Sequence, residues 1–391
     1  MGIVVQKYGG SSVADVERLR QIAETVVARQ RCGDAVVVVV SAMGKTTDNL
    51  MAQAKAIAAE PSRRELDMLV TAGERISMAL LSMAIHEVGG VSISLTGSQS
   101  GIITEDNHQG ARILEVRPYR IEEALARGVI VIVAGYQGVS RHREITTLGR
   151  GGSDTTAVAL AAALGASACE IYSDVDGVYT ADPNVCPQAQ LLPHLPYELM
   201  QTLAGAGAKV LNADAVEFAK RAGIAIHARK TGDVSGRESV VDTAAPMPTG
   251  VVAIATASAV TRMRGEQGEL GSIIAALSEV GARVMGATRS GSWDLLVDRT
   301  GVPSRDPHPV VERARRFGLV ADDVSVVSVI GTWLLSRGVT WEVASATLRN
   351  AGIDPEGMQA TDTCVSFVIA PVRCNDTVRL LHDALIPTQV L

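Results

Sequence analysis

The sequence is poor in aromatic residues and in clustered positive charge. Aromatic side chains make up 3% of the 391 residues, whereas hydrophobic residues make up 47%. The apolar content is therefore mostly Ala, Val, Leu and Ile, which is typical of layered α/β proteins. The net charge is -6 and no long basic run occurs. This balance argues against a surface that binds nucleic acid.

The sequence also lacks the signals of metal sites, secretion and membrane insertion. The five cysteines are scattered, and the seven histidines contain no His-x-x-x-His pair. We therefore assign no metal to protein side chains and expect a reduced compartment. The chain enters a strand directly after Met1, without the apolar core of a signal peptide. No segment is expected to approach the roughly 20 apolar residues of a membrane span. A cytoplasmic protein without a membrane partner is predicted.

Strand-like and helix-like segments alternate over residues 1 to about 230. This alternation predicts a largely parallel sheet with helices on both faces. Residues 232–250 are polar, contain Pro246 and Pro248, and are predicted to form a linker. The remainder, 251–391, reads as two related small α+β units. Such units more often bind a ligand or form a dimer than carry out chemistry.

Residues 147–156 combine three glycines with Arg150, Ser153 and Asp154, just before an alanine-rich helical run. Glycines allow backbone N–H groups to converge on an anion, and a helix N-terminus adds positive potential. Arg150 can bind a carboxylate or phosphate through both of its terminal nitrogens. The alternative is a tight turn in which Ser153 or Asp154 caps the helix. Because a cap explains neither Arg150 nor three glycines, we favour an anion site.

Three other turns are similar and lie at predicted strand ends, namely 7–12, 41–47 and 205–209. Each of them contains a lysine within two residues of a glycine. Cations and backbone N–H groups are what stabilise a phosphoryl group during transfer. The sequence contains no P-loop motif, and no Gly-x-Gly-x-x-Gly follows the first strand. Taken singly, each turn is most simply structural, but four together favour a phosphate site.

Acidic residues form a second set of candidates. Glu74 begins a helix, where it could serve only as a partner of the helix dipole. Asp174 and Asp182 follow a strand in the segment 173–183 and could contact Mg²⁺, ribose or adenine. That segment lacks the later glutamate of a calcium loop. Some of these acids are expected to be turn residues only. Ser153 lacks the sequence context of a hydrolase nucleophile.

The order of these motifs resembles that of the aspartate kinases (aspartokinases) of the amino-acid kinase superfamily. The resemblance is nearly unbroken over residues 3–211. It rests on segments 7–13, 41–44, 71–77, 96–101, 134–138, 147–156, 173–183 and 207–211. It implies a kinase domain over 1–231, built as an αβα sandwich with a mainly parallel sheet. It also implies two tandem regulatory ACT-like (βαββαβ) domains over 251–391.

The resemblance implies phosphorylation of the β-carboxylate of L-aspartate by ATP, with Mg²⁺ bound mainly through ATP. Lys7, Asp154 and Lys209 are then the catalytic candidates. The implied nucleotide-binding residues are Lys7, Gly9, Gly10, Ser11, Ser41, Ser173, Asp174, Tyr179, Asp182 and Lys209. The implied aspartate-binding residues are Thr47, Glu74, Arg150, Gly151, Gly152, Ser153 and Asp154. Arg150 would bind the α-carboxylate, and Glu74 the ammonium group. Asp154 would orient the lysines or bind the ammonium group. A homodimer or higher homo-oligomer is expected through the ACT-like region.

The sequence departs from the family pattern at several positions. Asn184 stands where an arginine is usual, and 212–214 replaces a usual His-Pro-Arg. At 229–231 an Arg-Lys-Thr sequence is expected to return positive charge to the site. The turns expected to face an effector, 264–269, 288–289, 335–338 and 359–363, also diverge. We therefore expect lysine or threonine feedback to be weakened or absent. Two alternatives stay open: a kinase for an aspartate analogue, and a catalytically weak, ligand-sensing or regulatory subunit.

Overall fold

The computed structural model describes residues 2–149, 151–208, 210–300, 302, 308–336 and 339–387. The chain divides into two compact units. The first unit comprises Met1–Val178, Leu192–Met200 and Val210–Pro246. The second comprises Tyr179–Leu191, Gln201–Lys209 and Met247–Leu391. The domain boundaries expected from the sequence stay a prediction.

The elements up to residue 173 follow in this order: β1 (Ile3–Tyr8), α1 (Val16–Arg31), β2 (Ala35–Val40), α2 (Thr46–Ile57), α3 (Arg63–Val70), α4 (Ala72–Glu87), β3 (Ser92–Leu95), β4 (Ile102–Thr104), β5 (Ile113–Val116), α5 (Tyr119–Ala126), β6 (Ile130–Ala134), β7 (Gln137–Ser140), β8 (Ile145–Thr147), α6 (Gly152–Ala163) and β9 (Ala168–Ser173). The next elements are β10 (His194–Pro196), α7 (Tyr197–Gly205), α8 (Ala213–Ala222), β11 (Ile226–Lys230) and β12 (Glu238–Asp242).

The main sheet of the first unit has eight strands in the order β10-β12-β11-β9-β1-β2-β6-β3. The six strands from β11 to β3 are mutually parallel, and β12 is antiparallel to β11. This arrangement confirms the predicted mainly parallel sheet. Glu238–Asp242, which lies inside the segment predicted as a linker, is the strand β12 and belongs to this sheet.

Helices cover both faces of the main sheet because the side chains of its strands alternate between buried layers. Val36, Val38 and Val40 of β2 pack with α1 and α4 in one apolar cluster. On the other face, a Cβ on Gly135 would contact both Val39 and Ser153 of α6. The central strands therefore lie between two helical layers, which is the predicted sandwich.

A second, four-stranded sheet in the first unit was not predicted. Its order is β5-β4-β7-β8, and its strands are three or four residues long. Strands this short carry too few alternating positions to be recognised from sequence. The sheet brings the end of β8, where the 147–156 segment begins, beside β7.

One helical run, Arg63–Glu87, is long and apolar enough by length and composition to cross a membrane. It consists of α3 and α4, and 44% of its most apolar window is buried inside the protein. Leu81 and Ile85 of α4 are fully buried in the cluster with α1. We therefore interpret the run as core helices of the first unit.

The second unit contains one six-stranded antiparallel sheet in the order β14-β15-β13-β16-β18-β17. Its elements are β13 (Gly250–Gly265), α9 (Leu270–Glu279), β14 (Arg283–Ser290), β15 (Ser292–Asp298), α10 (Pro309–Arg316), β16 (Val320–Thr332), α11 (Val339–Asn350), β17 (Gly357–Ala360), β18 (Cys364–Ile369), a 3₁₀ turn (Pro371–Arg373) and α12 (Cys374–Leu385).

This sheet has two helix-backed halves that share the long strands β13 and β16. One apolar cluster holds α9 and α10 with Met263 and Leu319. Another holds α11 and α12 with Ile254 and Val327. Along the chain, the half that contains α9 and α10 is therefore inserted into the half that contains α11 and α12. The antiparallel sheet is consistent with the predicted ACT-like units.

Candidate active site

The carboxyl ends of the parallel strands bring the glycine-rich turns of the first unit together. The N–H of Gly9, after β1, donates to the carbonyl of Tyr172 in β9 at 3.1 Å. The N–H of Gly44, after β2, donates to the carbonyl of Gly10 at 3.0 Å. Ligands of open α/β sheets bind at this edge. The turns at 7–12 and 41–47 are therefore neighbours in a candidate site.

The close approach of these turns requires glycine at two positions. A Cβ on Gly10 would lie 2.9 Å from the carbonyl oxygen of Ala42. A Cβ on Gly73, in the first turn of α4, would lie 2.7 Å from the Cβ of Ala42. Both distances are shorter than real Cβ contacts. The turn after β2 is thus enclosed between the turn after β1 and the start of α4.

Lys7 and Asp154 form an ion pair at this edge. The Lys7 Nζ lies 2.6 Å from the Asp154 Oδ1, and each side chain is 12% exposed. A Cβ on Gly9 would lie 3.5 Å from the same Nζ. A lysine on β1, a glycine turn and an acid of α6 therefore lie side by side. The other two predicted cations, Arg150 and Lys209, lie outside the described residues.

The start of α6 depends on a glycine with a left-handed backbone conformation. Gly151 occupies the N-cap position with a φ of 67°, a left-handed conformation that favours glycine. Gly152, Ser153 and Asp154 follow in the first turn and are buried. Neither Ser153 nor Asp154 is the N-cap residue, so the simple capping interpretation is wrong.

Asn212, one of the residues that depart from the family pattern, caps a helix. Its side chain caps α8 by accepting hydrogen bonds from the N–H groups of Asp214 and Ala215 at 2.9 and 3.2 Å. A Cβ on Gly151 would overlap the same Asn212 side chain. Asn212 therefore packs directly against the turn that starts α6.

Glu74 is a buried acid in the first turn of α4. It is 3% exposed, and its Oε1 accepts a hydrogen bond from the N–H of Ala42 at 3.2 Å. Its Oε2 is buried without a hydrogen-bond partner among the residues that the structure describes. Burial raises the pKa of Glu74 to about 7. A ligand cation beside this oxygen would restore the charged form.

Thr47 and the predicted serines lie on the same turns. Thr47 is in the first turn of α2, and the methyl group of its neighbour Thr46 would lie 3.5 Å from a Cβ on Gly73. Ser11 and Ser41 directly follow the glycine turn of β1 and the end of β2. These three residues therefore stand on the turns that follow β1 and β2 or at the start of α2.

The predicted nucleotide residues are divided between the two units. Ser173 ends β9, and its carbonyl accepts a hydrogen bond from the N–H of Thr231 at 2.9 Å. Asp174 follows it in the first unit, whereas Tyr179 and Asp182 belong to the second. Asp182 accepts hydrogen bonds from the backbone and side-chain nitrogens of Asn184 at 2.9 and 3.0 Å. Asn184 therefore closes a turn.

Arg229 does not add a free charge to the strand ends. Its Nη1 donates to Glu170 at 2.8 Å, and its Nε donates to Glu238 at 2.6 Å. Glu170 is 2% exposed and also accepts from Gln6 Nε2 at 2.8 Å. The Arg229 guanidinium therefore neutralises a buried acid within the sheet. The expected return of positive charge by the segment 229–231 stays a prediction for Lys230.

Two residues of the site region were missed from the sequence. Tyr136, after β6, has a φ of 68°, and its side chain contacts Thr147 by a hydrogen bond. Burial raises the pKa of Tyr136, and Glu74 and Asp67 add to the increase. Asp67 of α3 is fully buried. No local signal marks Asp67, since an acid on an amphipathic helix is most simply read as solvent-facing.

Comparison with known proteins agrees with the fold and the motifs. The amino acid kinase family matches residues 2–229. An aspartokinase of Corynebacterium glutamicum is 40% identical over 404 residues, covering 98% of this chain and 96% of the relative. A solved aspartate kinase from Synechocystis is 31% identical, with a TM-score of 0.57, covering 99% of this chain and 71% of the other.

A further solved structure is similar in fold. It is E. coli aspartokinase III in complex with aspartate and ADP, at a TM-score of 0.83 and 23% identity. The match covers 98% of this chain and all of the other. Together with the family match and the high coverage by named relatives, these findings establish that the chain belongs to the amino acid kinase family and, within it, to the aspartokinases.

Proposed function

We propose that this chain transfers the γ-phosphoryl group of ATP to the β-carboxylate of L-aspartate, giving 4-phospho-L-aspartate and ADP. The observation that carries the proposal is the Lys7–Asp154 ion pair, 2.6 Å long, at the glycine turns of the strand ends. The relative at 40% identity is named an aspartokinase, and the E. coli structure is in complex with aspartate and ADP. A lysine and backbone N–H groups at one sheet edge suit a reaction between two anions.

In this proposal, the turn after β1 binds the phosphates. The backbone of Gly9 and Gly10 approaches them closely, and Lys7 neutralises charge on the transferring group. The remaining nucleotide contacts within the first unit are assigned to Ser11, Ser41, Ser173 and Asp174. The nucleotide roles of Tyr179, Asp182 and Lys209 stay predictions from the sequence. Mg²⁺ would be held mainly by the nucleotide, and it would supply neutralisation of charge on the transferring group.

The amino-acid end of the substrate lies, in this proposal, between α4 and the start of α6. Glu74 accepts the ammonium group, which explains why a buried carboxylate keeps one oxygen without a partner among the described residues. Arg150 binds the α-carboxylate. Thr47, Gly151, Gly152 and Ser153 border the substrate, and Asp154 orients Lys7 through the ion pair.

The reaction needs no general base. The β-carboxylate is already ionised at neutral pH, so its oxygen attacks the γ-phosphorus while the bond to the β-γ bridging oxygen breaks. ADP leaves with the electron pair. The protein contributes orientation of two anions and neutralisation of their repulsion. Because Lys7 is held by Asp154, its ammonium group does not have to be ordered during the reaction.

An assay of ADP release tests the proposal. We expect turnover with L-aspartate, little with glutamate, and an acyl phosphate product that hydroxylamine traps as the hydroxamate. Turnover with an aspartate analogue but not with aspartate would replace the substrate assignment. Binding of ATP without turnover of any acceptor would favour the regulatory alternative and contradict the proposal.

We further propose that lysine and threonine feedback is weakened. In the second unit the Asp362 carboxylate accepts hydrogen bonds from the N–H groups of Leu335 and Ser336 at 3.2 and 3.0 Å. The Ser336 hydroxyl also donates to Asp362, at 2.8 Å. These donors belong to a turn expected to face an effector, and a chain carboxylate already occupies them. Strong inhibition of the purified enzyme by millimolar lysine plus threonine would contradict this proposal.

A further inference from the structure

We propose that Asp67 is a positioning residue that sets the affinity of this enzyme for its amino-acid substrate. The proposal rests on the function proposed above and adds to it a residue outside the expected site. Asp67 lies in α3, is fully buried, and is surrounded by hydrogen-bond donors from two distant segments. Its role follows from the position of those two segments relative to the proposed substrate site.

The first segment is the end of β8. The Thr147 hydroxyl donates to Asp67 Oδ1 at 2.6 Å, and the Thr147 N–H donates to Oδ2 at 3.2 Å. The carbonyl of Thr147 is held as well, because it accepts from the N–H groups of Gly110 and Ala111 at 3.0 and 2.8 Å. Every polar group of Thr147 is therefore fixed, directly before the turn that leads to α6.

The second segment lies between β4 and β5. His108 Nδ1 donates to Asp67 Oδ2 at 2.8 Å. The Gln109 side-chain nitrogen donates to Oδ1 at 2.5 Å, while its backbone N–H approaches both oxygens at 3.3 Å. Gln109 adopts a left-handed φ of 62°. Such a conformation is unfavourable for a residue other than glycine, and the surrounding contacts have to hold it in place.

These contacts connect the two elements that receive the amino acid in the proposed function. Asp67 is on α3, which leads through Thr71 into α4 and Glu74. The Thr71 carbonyl accepts from the Gln137 side chain at 3.2 Å, which ties the α3–α4 junction to β7. Thr147 precedes the turn into α6, which carries Asp154. The buried carboxylate of Asp67 thereby links Glu74, the acid proposed to bind the ammonium group, to the turn that borders the α-carboxylate of the substrate.

The nucleotide side is held by other contacts. The turns after β1 and β2 are fixed by backbone hydrogen bonds of the main sheet, such as that from Gly44 to Gly10. Loss of Asp67 should therefore disturb aspartate binding far more than ATP binding. A purely structural role would lower the amount of folded enzyme and leave both Michaelis constants unchanged.

Steady-state kinetics of Asp67→Asn test this inference. We expect the KM for aspartate to rise about tenfold or more, and the KM for ATP to change by less than about twofold. Thr147→Val, which removes only the hydroxyl, should give a smaller change in the same direction, and Thr147→Ser should restore the wild-type value. Asp106→Asn is the matched control, because Asp106 makes an exposed pair with His142 at 2.8 Å. An unchanged aspartate KM, or equal rises in both constants, would overturn the inference.

Hydrogen exchange supplies a readout that does not depend on turnover. In Asp67→Asn, peptides covering 107–112 and 145–149 should exchange faster, while peptides of β1 and β2 keep their protection. If the wild-type enzyme fails to phosphorylate aspartate, the proposed function fails, and exchange still decides the positioning role. Unchanged protection in both loops would overturn the inference in either case.

Discussion

Glu74 should make aspartate binding depend on pH near neutrality. Burial raises its pKa to about 7, and the proposed ammonium contact requires the ionised form. With that pKa, about one tenth of Glu74 is ionised at about pH 6, and about nine tenths at about pH 8. The KM for aspartate should therefore rise about tenfold as the pH falls from about 8 to about 6. In Glu74→Gln the KM should be high at both pH values and nearly constant.

The unliganded enzyme offers a second measurement of the same group. The pKa of Glu74 is higher in the folded protein than its ordinary value of 4.5. Glu74 therefore contributes its full stabilisation at pH values below 4.5, and this contribution is lost as the pH rises through about 7. Ionising this buried carboxyl costs about 3 kcal/mol above about pH 8. Glu74→Gln should therefore raise the midpoint of thermal unfolding at about pH 8 and have little effect at about pH 5.

Glu87→Gln is the matched control, since Glu87 is exposed at the other end of α4. Its pH profile and unfolding midpoint should follow those of the wild type. The reasoning is refuted if the wild-type KM for aspartate is the same at both pH values. It is also refuted if Glu74→Gln retains the wild-type dependence, since another group would then be responsible.

Two further substitutions test the geometry of the site. Lys7→Met removes the cation that lies 2.6 Å from Asp154. We expect kcat to fall about 10²-fold or more, while circular dichroism shows a folded protein. Near-normal turnover would contradict the role of Lys7. Gly73→Ala adds a Cβ that would lie 2.7 Å from that of Ala42, and calorimetry should show a loss of about 1–3 kcal/mol. Gly271→Ala is the control, because no described atom lies within 4 Å of the Cβ added at this helical position. It should be neutral or stabilising by about 0.5–1 kcal/mol. Equal losses of stability in both glycine variants would contradict the crowding argument.

The fold of the first unit could largely be predicted from its sequence. The run Ala35–Val40 is uninterrupted apolar sequence of strand length, and in the structure it is the buried centre of a parallel sheet. The amphipathic pattern after Asp15 predicts α1, and the Asp15 side chain accepts the capping hydrogen bond from Arg18. Such patterns are local, because they depend only on side-chain periodicity and on residues within one turn.

Other features could not be predicted, because they depend on contacts between distant residues. The strands β4, β5, β7 and β8 are too short to carry a pattern of their own. Arg229 belongs to the segment 229–231 that was expected to return positive charge to the site, yet Glu170 and Glu238 neutralise this arginine within the sheet. Asp67 resembles an ordinary helical acid until Thr147, 80 residues later in the chain, is placed against it.

By itself, the sequence determined which residue types stand at the strand ends: glycines, Lys7, and an acid in the first turn of α6. Strand ends and turns are local features, so the carboxyl edge could be recognised as a candidate anion site before any distance was known. Only the tertiary structure decided how these residues act on one another. It paired Lys7 with Asp154, and it buried Glu74 so that its pKa rises to about 7. Burial and ion pairing depend on which distant segments pack together, and no local pattern contains that information.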